Sequence, residues 1–379
     1  MTTLSSTTPM PDETDVPNVL SPRALMWRKF KRHKIAYLSL WLVGLIYLMA
    51  LIGPFLAPGD AADTNRRAIF QPPQGIHFMV DDADGGRSFK LHAKQMKMQI
   101  DRSTMRRSYA ADPEKIIPLG FFVRGAEYEV LGLFKSDVHL FGPVNAKDKV
   151  YFFGADRLGR DMMSRIIIGT KVSMSIGLVG VAVSLVVGVA LGGISGFYGG
   201  WIDNLIQRLI EFLRSIPTIP LWMGLAAAIP LGWPPLRTYF VVTLIVSMIG
   251  WTSLAREVRG KFLAMRDEDF IIAARLDGLT DWEVIRKHMV PNFSSHIIAS
   301  LTLAVPLMIL AETSLSFLGI GLQPPIISWG TLLKEAQNIR SIVEAPWLLI
   351  APGAMIVVAV LTLNFLGDGL RDAADPNAH

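Results

Sequence analysis

The sequence predicts an all-α integral membrane protein with six transmembrane helices and one large polar insert after the first of them. Three observations lead to this class: 51% of the residues are hydrophobic, only 18% are charged, and the charges are unevenly spread. Of the 69 charged residues, 9 lie in 1–34, 31 in 57–170 and 14 in 256–287, which leaves 15 for the other 199 residues. So low a charge density is typical of chain solvated by lipid, which excludes a soluble enzyme. The absence of cysteine also excludes a secreted disulfide scaffold.

The first predicted span, 35–55, has 21 residues without a charge. As a helix it is about 31 Å long, enough to cross the hydrocarbon. Six basic residues in 23–34 precede it and hold that end in the cytoplasm. The apolar run is too long for a signal peptide, so the segment is expected to be an uncleaved anchor. Further charge-poor runs predict the other spans: 172–197, 201–231, 239–254, 291–322 and 346–366.

With the N-terminus in the cytoplasm, successive spans cross the membrane in alternating directions and divide the chain into cytoplasmic and extracytoplasmic parts. A cytoplasmic segment (1–34) precedes the first transmembrane helix (35–55), and an extracytoplasmic insert (56–170) follows it. A core with helices 2 to 6 (171–370) contains a cytoplasmic loop at 256–291, and a cytoplasmic tail (371–379) ends the chain. The insert holds 17 Lys and Arg residues, but loops beyond about 60 residues do not follow the positive-inside rule.

The insert is predicted to be a small β-rich lobe. It contains turn signals such as Asp84-Gly85-Gly86, and its runs 121–123 and 127–130 are typical of short strands. The basic, Met-rich stretch 95–107 is predicted to be an amphipathic helix on the lobe or the membrane surface. It forms either a solvated face or a contact with an anionic partner.

Small residues and prolines indicate how the helices pack. A glycine recurs every four residues from 188 to 200, so one helix face lacks side chains and another helix can approach closely. That face serves either packing within the bundle or the lining of a substrate path. Prolines predict broken helices in the third and fifth spans, which membrane proteins tolerate along protein-lined paths. They are Pro217, Pro220, Pro230 and Pro306.

The cytoplasmic loop carries seven basic and seven acidic residues between 256 and 287. Asp269 to Asp277 is predicted to be one helical stretch ended by Gly278, and Asp281 is expected to cap a second short helix. We call residues 269–289 the elbow. This helix–glycine–helix unit carries many charges but no net charge, and in the cytoplasm such a unit is expected to dock on a partner protein. The alternative is a connecting loop without a partner.

Signatures of catalysis are missing from the sequence. It has no GxxxxGK[ST], HExxH or GxSxG motif and no cysteine, so we expect no bound nucleotide, metal or cofactor and no catalysis by this chain alone. A nucleic-acid partner is not expected either. Glu312 lies in the fifth span, where placing an ionisable side chain at membrane depth costs free energy. It either belongs to a substrate path or gate, or is a structural group bonded to neighbouring backbone, Ser or Thr.

The elbow resembles a known family. Residues 273–292, AARLDGLTDWEVIRKHMVPN, are similar to the cytoplasmic EAA loop of ABC-importer permeases, with Ile272 in place of the family's leading Glu. Three further stretches resemble motifs of the dipeptide/oligopeptide permeases, with Ala155 in place of a Thr. They are FGADRLGRDMMSR at 153–165, AETSLSFLGIGLQPPIISWG at 311–330 and NFLGDGLRDAADP at 364–376. The N-terminal anchor and its basic lead are similar to those of the second, C-type permease of a pair.

This resemblance implies the six-helix fold of type I ABC-importer permeases, in a bacterial inner membrane with both termini cytoplasmic. The implied partners are a second homologous permease, two ATPase subunits, a periplasmic substrate-binding protein and the lipid bilayer. The implied ATPase-coupling residues are Asp269, Phe270, Ala273, Ala274, Gly278 and Trp282. Glu312 belongs to a family segment, and whether it gates the pathway or braces the fold stays open.

Di- and oligopeptides are the substrates that the resemblance implies, with oligosaccharides, opines or nickel chelates as alternatives. Two readings from other classes remain. The first is a self-contained channel or ion-coupled carrier, which needs a ladder of ionisable groups inside the spans. The second is a membrane anchor of a larger complex, which the elbow alone would allow.

Overall fold

The protein is described by a computed structural model over residues 22–81, 87–100, 107–130, 132–230 and 232–374. Predictions for residues 1–21, for the turn at 84–86 and for the last five residues of the tail lie outside these ranges. The helices that form the bundle and its connections are, in chain order, α1 (Pro22–Arg32), α2 (Lys34–Leu51), α3 (Gly53–Leu56), α4 (Met162–Tyr198), α5 (Gly200–Ser215), α6 (Thr218–Ala227), α7 (Pro235–Met265), α8 (Asp269–Leu276), α9 (Asp281–Val284), α10 (Val290–Phe317), α11 (Trp329–Lys334), α12 (Ile339–Glu344) and α13 (Trp347–Ala374).

Within the described residues, five helices are long and apolar enough to cross a membrane: α2, α4, α7, α10 and α13. Their largest shared core includes Met174 of α4, Val246 of α7, Ile309 of α10 and Leu363 of α13. The bundle has two ends. At one end lie α1, the last turns of α13 and the elbow, and we call it the elbow end. At the other end lie the sheet and the start of α4, and we call it the sheet end.

Among the described residues, four strands form an antiparallel sheet in the order β1-β2-β3-β4. They are β1 (Ile76–Asp81), β2 (Arg87–Ile100), β3 (Arg107–Val130) and β4 (Phe134–Pro143). The long strand β3 pairs twice, its first half with β2 and its second half with β4. Ala93, Ile117, Leu119 and Val150 form a small apolar core against the sheet. Runs 121–123 and 127–130 both lie in β3.

The helix predicted at 95–107 is wrong. Its described residues belong to β2, which ends at Ile100, and to β3, which begins at Arg107. The backbone hydrogen bonds of this stretch go across the sheet, where Met98 pairs with Tyr109. The period of the sequence agrees with a strand, because Met96, Met98 and Ile100 alternate with polar residues.

The span predicted at 201–231 is not one helix. Its first half is the charged helix α5 and its second half is the apolar helix α6, with extended backbone at Ile216 and Pro217 between them. A proline disfavours helical backbone in the residue before it, which explains the break. Together, α5 and α6 nevertheless run antiparallel to α7. Arg259 near the end of α7 pairs with Asp203 in α5, and Ile229 after α6 packs near the start of α7.

The glycine face of α4 packs against α7, which confirms the packing interpretation for three of its four glycines. A Cβ at Gly192 would lie 2.4 Å from the carbonyl oxygen of Ala255, and one at Gly196 would lie 2.7 Å from that of Arg259. Gly188 faces Leu254 at 3.0 Å. Any side chain here would push the two helices apart, so glycine permits the close approach.

Candidate functional site

The elbow is built from two local capping motifs. At the end of α8, the Leu279 N–H donates to the Ala274 carbonyl at 3.2 Å and the Gly278 N–H donates to the Arg275 carbonyl at 3.0 Å. This is a Schellman motif, and Gly278 takes the left-handed backbone it requires, with φ +82°. The predicted end of the first helix at Gly278 is therefore confirmed.

The second helix of the elbow begins at a capping box. Thr280 Oγ1 accepts from the Glu283 N–H, and the Glu283 carboxylate accepts from the Thr280 N–H at 3.0 Å. The predicted cap, Asp281, is wrong by one residue because the Thr280 hydroxyl occupies that role and Asp281 opens the helical turn. Hydrogen bonds from Lys287 and Thr280 lower the pKa of Glu283 to about 2, so this carboxylate is ionised at neutral pH.

One face of the elbow is buried in an apolar seat. Ile271 and Ala274 of α8, with Val284 and Met289 beyond the turn, point into the bundle. The residues that receive them come from the ends of α4 and α7 and the start of α10: Phe197, Leu254, Val258, Phe262, Phe293 and Ile297. Arg275 adds a cation–π contact, with its guanidinium carbon 4.7 Å from the centre of the Phe197 ring.

The opposite face of the elbow is apolar and exposed. Leu276 is 83% exposed and Trp282 is 67% exposed, and charged residues flank both of them in the sequence. Phe270 and Ala273 precede Leu276 at helical spacing and are also exposed. We call Phe270, Ala273, Leu276 and Trp282 the docking face. Exposed apolar side chains grouped in this way mark interaction sites.

The predicted coupling residues therefore occupy different places. Phe270, Ala273 and Trp282 lie on the docking face, Asp269 is exposed at the start of α8, and Gly278 forms the turn. Ala274 instead faces the bundle's own core. Leu276 was missed in the sequence, although its i, i+3 spacing from Ala273 could have indicated it.

Glu312 is fully buried near the sheet end of α10. The hydroxyls of Ser316 and Ser328 donate to its Oε1 at 2.7 and 2.8 Å, whereas its Oε2 has no partner among the described residues. Ser328 in turn accepts from the Thr331 N–H and caps α11. Glu312 thus ties α10 to the segment that leads into α11, an arrangement that favours the bracing role.

A buried ion-pair cluster lies at the sheet end, and we call its four residues the clasp. Asp156 Oδ2 accepts from Arg160 at 2.6 Å and from Arg165 at 2.7 Å. Both arginines also donate to Glu335 Oε1, at 2.8 and 3.2 Å. The clasp joins the chain before α4 to the chain after α11, about 170 residues later in the sequence. Burial raises the pKa of Glu335, while Arg165 and Arg160 oppose that rise.

Asp161 completes this region by capping α4. Its carboxylate accepts from the N–H groups of Met163 and Ser164. Burial nevertheless raises the pKa of Asp161 to about 6, because the desolvation of the charged form outweighs these hydrogen bonds. The motif at 153–165 thus supplies three of the four clasp residues and the cap, a role that the sequence did not reveal.

A cavity of about 590 Å³ opens between α6, α7 and α10. Its lining is mostly apolar, with Trp222, Leu307 and Met308, and it includes Glu257 and Arg371 toward the elbow end. Ser184 and Trp222 also line it, and their hydroxyl and indole nitrogen are buried with no hydrogen-bond partner in the described part of the chain. The lining passes beside Glu312, through Ala311 and Ser314, but does not include it.

The apolar helices and their polar elbow define a multi-pass membrane protein. Residues 188–379 match the family described as binding-protein-dependent transport system inner membrane component. Residues 21–73 match the family described as the N-terminal TM domain of oligopeptide transport permease C.

Named relatives cover most of the chain. The dipeptide transport system permease protein DppC of Lactococcus lactis is 31% identical over 93% of this chain and 90% of its own length. The glutathione transport system permease protein GsiD of Pectobacterium atrosepticum is 36% identical over 66% of this chain and 79% of its own. A solved structure of the MetNI methionine ABC transporter, in an inward-facing conformation, matches with a TM-score of 0.43 at 18% identity, over 56% of this chain and 97% of that one.

The chain belongs to the family of binding-protein-dependent transport system inner membrane components. It is a permease subunit of an ABC importer, in which separate subunits hydrolyse ATP. Membership confirms the resemblance found in the sequence motifs, and it implies ATPase and substrate-binding partners.

Proposed function

We propose that this chain forms half of the translocation pathway of an importer for di- and oligopeptides, paired with a second, homologous permease. Peptide transport is the function in the names of several relatives, among them the dipeptide permease of L. lactis and the oligopeptide permease of Haemophilus influenzae. The cavity supports this class of substrate, because it combines apolar walls with the charged side chains of Glu257 and Arg371, which could engage the charged ends of a peptide. Oligosaccharides, opines and nickel chelates remain the alternatives.

The proposed topology has six passes. The five long helices supply five, and α5 with α6 supply the sixth because together they run back along α7. With this count the N-terminus, the elbow and the C-terminus share the cytoplasmic side, and the sheet lies outside as the insert of 56–170. The basic residues of α1 support the cytoplasmic placement of the elbow end.

The observation that carries the mechanism is the position of Leu254 of α7. Its side chain belongs to the apolar seat of the elbow and also lines the cavity. A force on the docking face is transmitted through Ile271 and Ala274 to the ends of α7 and α10, which form the cavity wall. ATP-driven closure of the partner ATPases therefore biases the bundle between two states by moving the elbow.

A self-contained ion-coupled carrier is disfavoured by the surroundings of Glu312. This carboxylate is held by Ser316 and Ser328 and is absent from the cavity lining. In the proposed importer Glu312 braces the sheet end, and the coupling residues of the elbow make the contacts with the ATPase.

The test is uptake of a labelled dipeptide by proteoliposomes that contain the permease pair, the ATPases and the binding protein. We expect Leu276→Glu to abolish ATP-driven uptake while the protein still inserts, because it places a charge on the docking face. Val343→Glu is the matched control, since Val343 is 75% exposed on the short helix α12. Equal loss in both variants, or normal uptake by Leu276→Glu, would contradict the proposal.

A second pair of variants isolates the turn of the elbow. Gly278→Asp forces a side chain onto a left-handed backbone, so we expect transport to fail without loss of membrane insertion. Gly260→Asp introduces the same side chain on the exposed face of α7, where no atom of the described residues lies within 4 Å of the new Cβ. Uptake that falls equally in both variants would exclude a special role for the turn.

A further inference from the structure

Two adjacent phenylalanines stand out at the base of the β3–β4 hairpin. Phe121 is 66% exposed and Phe122 is 68% exposed, and Val144, which follows β4 and lies against Gly120, is also exposed. Phe121 contacts Phe141 and Phe122 contacts Phe55, with ring centres 5.1 and 6.3 Å apart, and exposed apolar side chains grouped on a surface mark interaction sites. We call Phe121, Phe122 and Val144 the hairpin patch.

The backbone of Phe122 gives an independent reason to expect a cover. Phe122 has φ +54°, a left-handed conformation that is unfavourable for a large side chain. Phe70 has a similar φ of +56°, but its ring packs on the cluster around Met162 and Leu332, and this burial offsets the strain. Phe122 has no comparable burial, because most of its ring is exposed.

The position of the hairpin patch relative to α2 indicates what covers it. Phe55 lies in α3, directly after the spanning helix α2, and its ring centre is 6.3 Å from that of Phe122. The base of the hairpin is held beside α3, because His139 Nδ1 hydrogen-bonds at 2.7 Å to the carbonyl of Ala57, which directly follows α3. An exposed apolar stripe runs along α2 toward Phe55: Leu38, Trp41, Leu45 and Leu48.

We propose that the hairpin patch is a membrane-contact site, in which Phe121 and Phe122 insert into the lipid interface beside the end of α2. The patch continues the apolar surface of a spanning helix, and aromatic rings are favoured at that depth. The left-handed Phe122 directs its ring out of the sheet at the cost of strain, and burial in lipid offsets that strain. This site goes beyond the transport function and requires only that α2 spans the bilayer.

The absence of cysteine from the sequence makes a clean test possible. A nitroxide label on F122C is measured by EPR power saturation in the assembled transporter in nanodiscs, with the partner subunits freed of reactive cysteines. Collision with oxygen, which concentrates in lipid, is compared with collision with a water-soluble nickel chelate. L45C, on the stripe of α2, is the lipid control, and F134C, near the tip of the hairpin, is the water control.

We expect the oxygen-to-nickel collision ratio at F122C to lie several-fold above that at F134C and close to that at L45C. A ratio equal to that at F134C would overturn the proposal, because the patch would then face water. An immobile label shielded from both reagents would also overturn it, because protein would then cover the patch. F121C repeats the measurement independently and decides the matter if F122C does not assemble.

Discussion

The elbow and the clasp lie at opposite ends of the same bundle and are held by different kinds of interaction. The clasp joins distant segments through directional ion pairs around the fully buried Asp156. The elbow is closed by local hydrogen bonds at Gly278 and Thr280, and it rests on the bundle through an apolar seat. Apolar contact has no preferred direction, whereas a buried ion pair tolerates little displacement. In the proposed importer, the elbow therefore shifts together with the helix ends that form its seat, while the sheet end keeps its geometry.

The largest effect is expected from breaking the clasp. Arg165→Met removes one of the two arginines that neutralise Asp156 and Glu335, and it leaves buried carboxylates underpaired. Loss of one partner from a buried ion pair costs roughly 3–5 kcal/mol. We expect the thermal unfolding midpoint of the purified transporter to fall accordingly.

The matched control for the clasp is Arg208→Met. Arg208 pairs with Glu211 on the exposed side of α5, with a 3.3 Å distance between Arg208 Nη1 and Glu211 Oε2. An exposed pair of this kind is worth about 0–1 kcal/mol. Similar shifts for the two variants would show that the clasp does not anchor the sheet end.

The next effect concerns the two faces of α8. Ile271→Ala empties a fully buried position in the seat, and such a truncation costs roughly 2–5 kcal/mol. Leu276→Ala trims an exposed side chain and should leave the stability unchanged while it weakens coupling to the ATPase. Hydrogen exchange of the elbow amides measures the first effect and dipeptide uptake the second. The distinction between seat and docking face fails if Ile271→Ala leaves exchange unaltered.

A pH dependence is expected at the sheet end, because burial raises the pKa of Asp161 from its ordinary value to about 6. A carboxyl with a raised pKa in the folded state binds protons more tightly there than in the unfolded chain. Its contribution to stability is complete below about pH 4 and is lost as the pH rises through about 6. The loss is on the order of 2–3 kcal/mol at most.

Asp161→Asn tests this dependence, because the amide carries no titratable proton but its oxygen still accepts from the first N–H groups of α4. We expect unfolding midpoints measured between pH 4 and 7 to fall less steeply in the variant than in the native chain. Parallel profiles would mean that Asp161 does not carry the pH dependence.

The smallest effect is expected at the cap of the second elbow helix. Thr280→Ala removes the hydroxyl that accepts from the Glu283 N–H, and such a cap is worth about 1 kcal/mol. Thr280→Ser keeps the hydroxyl and is the control. Faster hydrogen exchange confined to 280–284 in the alanine variant is the expected result, and equal exchange in both variants would argue against the capping box.

Much of this comparison could be predicted from the sequence because it rests on local signals. Charge-free runs reveal spanning helices, and Gly278 marks the end of α8 through its backbone preference alone. Family motifs indicated the class of transporter. Local signals fail where distant residues decide the outcome, as in the clasp, since nothing in the spacing shows that Asp156 and Arg165 meet Glu335.

Two other differences have physical causes that a local reading misses. The composition of 95–107 predicts a helix, yet its described part in β2 pairs with β3, which satisfies the backbone there. Ala274 was predicted to contact the ATPase, but which of two adjacent alanines faces the bundle depends on how α8 lies against Phe197 and Phe262.

The most direct test of the docking face is cysteine cross-linking from α8 to the ATPase in the assembled, ATP-free transporter. The chain has no native cysteine, so L276C and A274C each introduce one thiol, two residues apart on opposite faces of one helix. We expect L276C to cross-link to the ATPase through a short bifunctional reagent and A274C to remain unreacted, because Ala274 is buried in the bundle. Equal cross-linking from both positions, or none from L276C in a complex that transports, would contradict the assignment of the docking face.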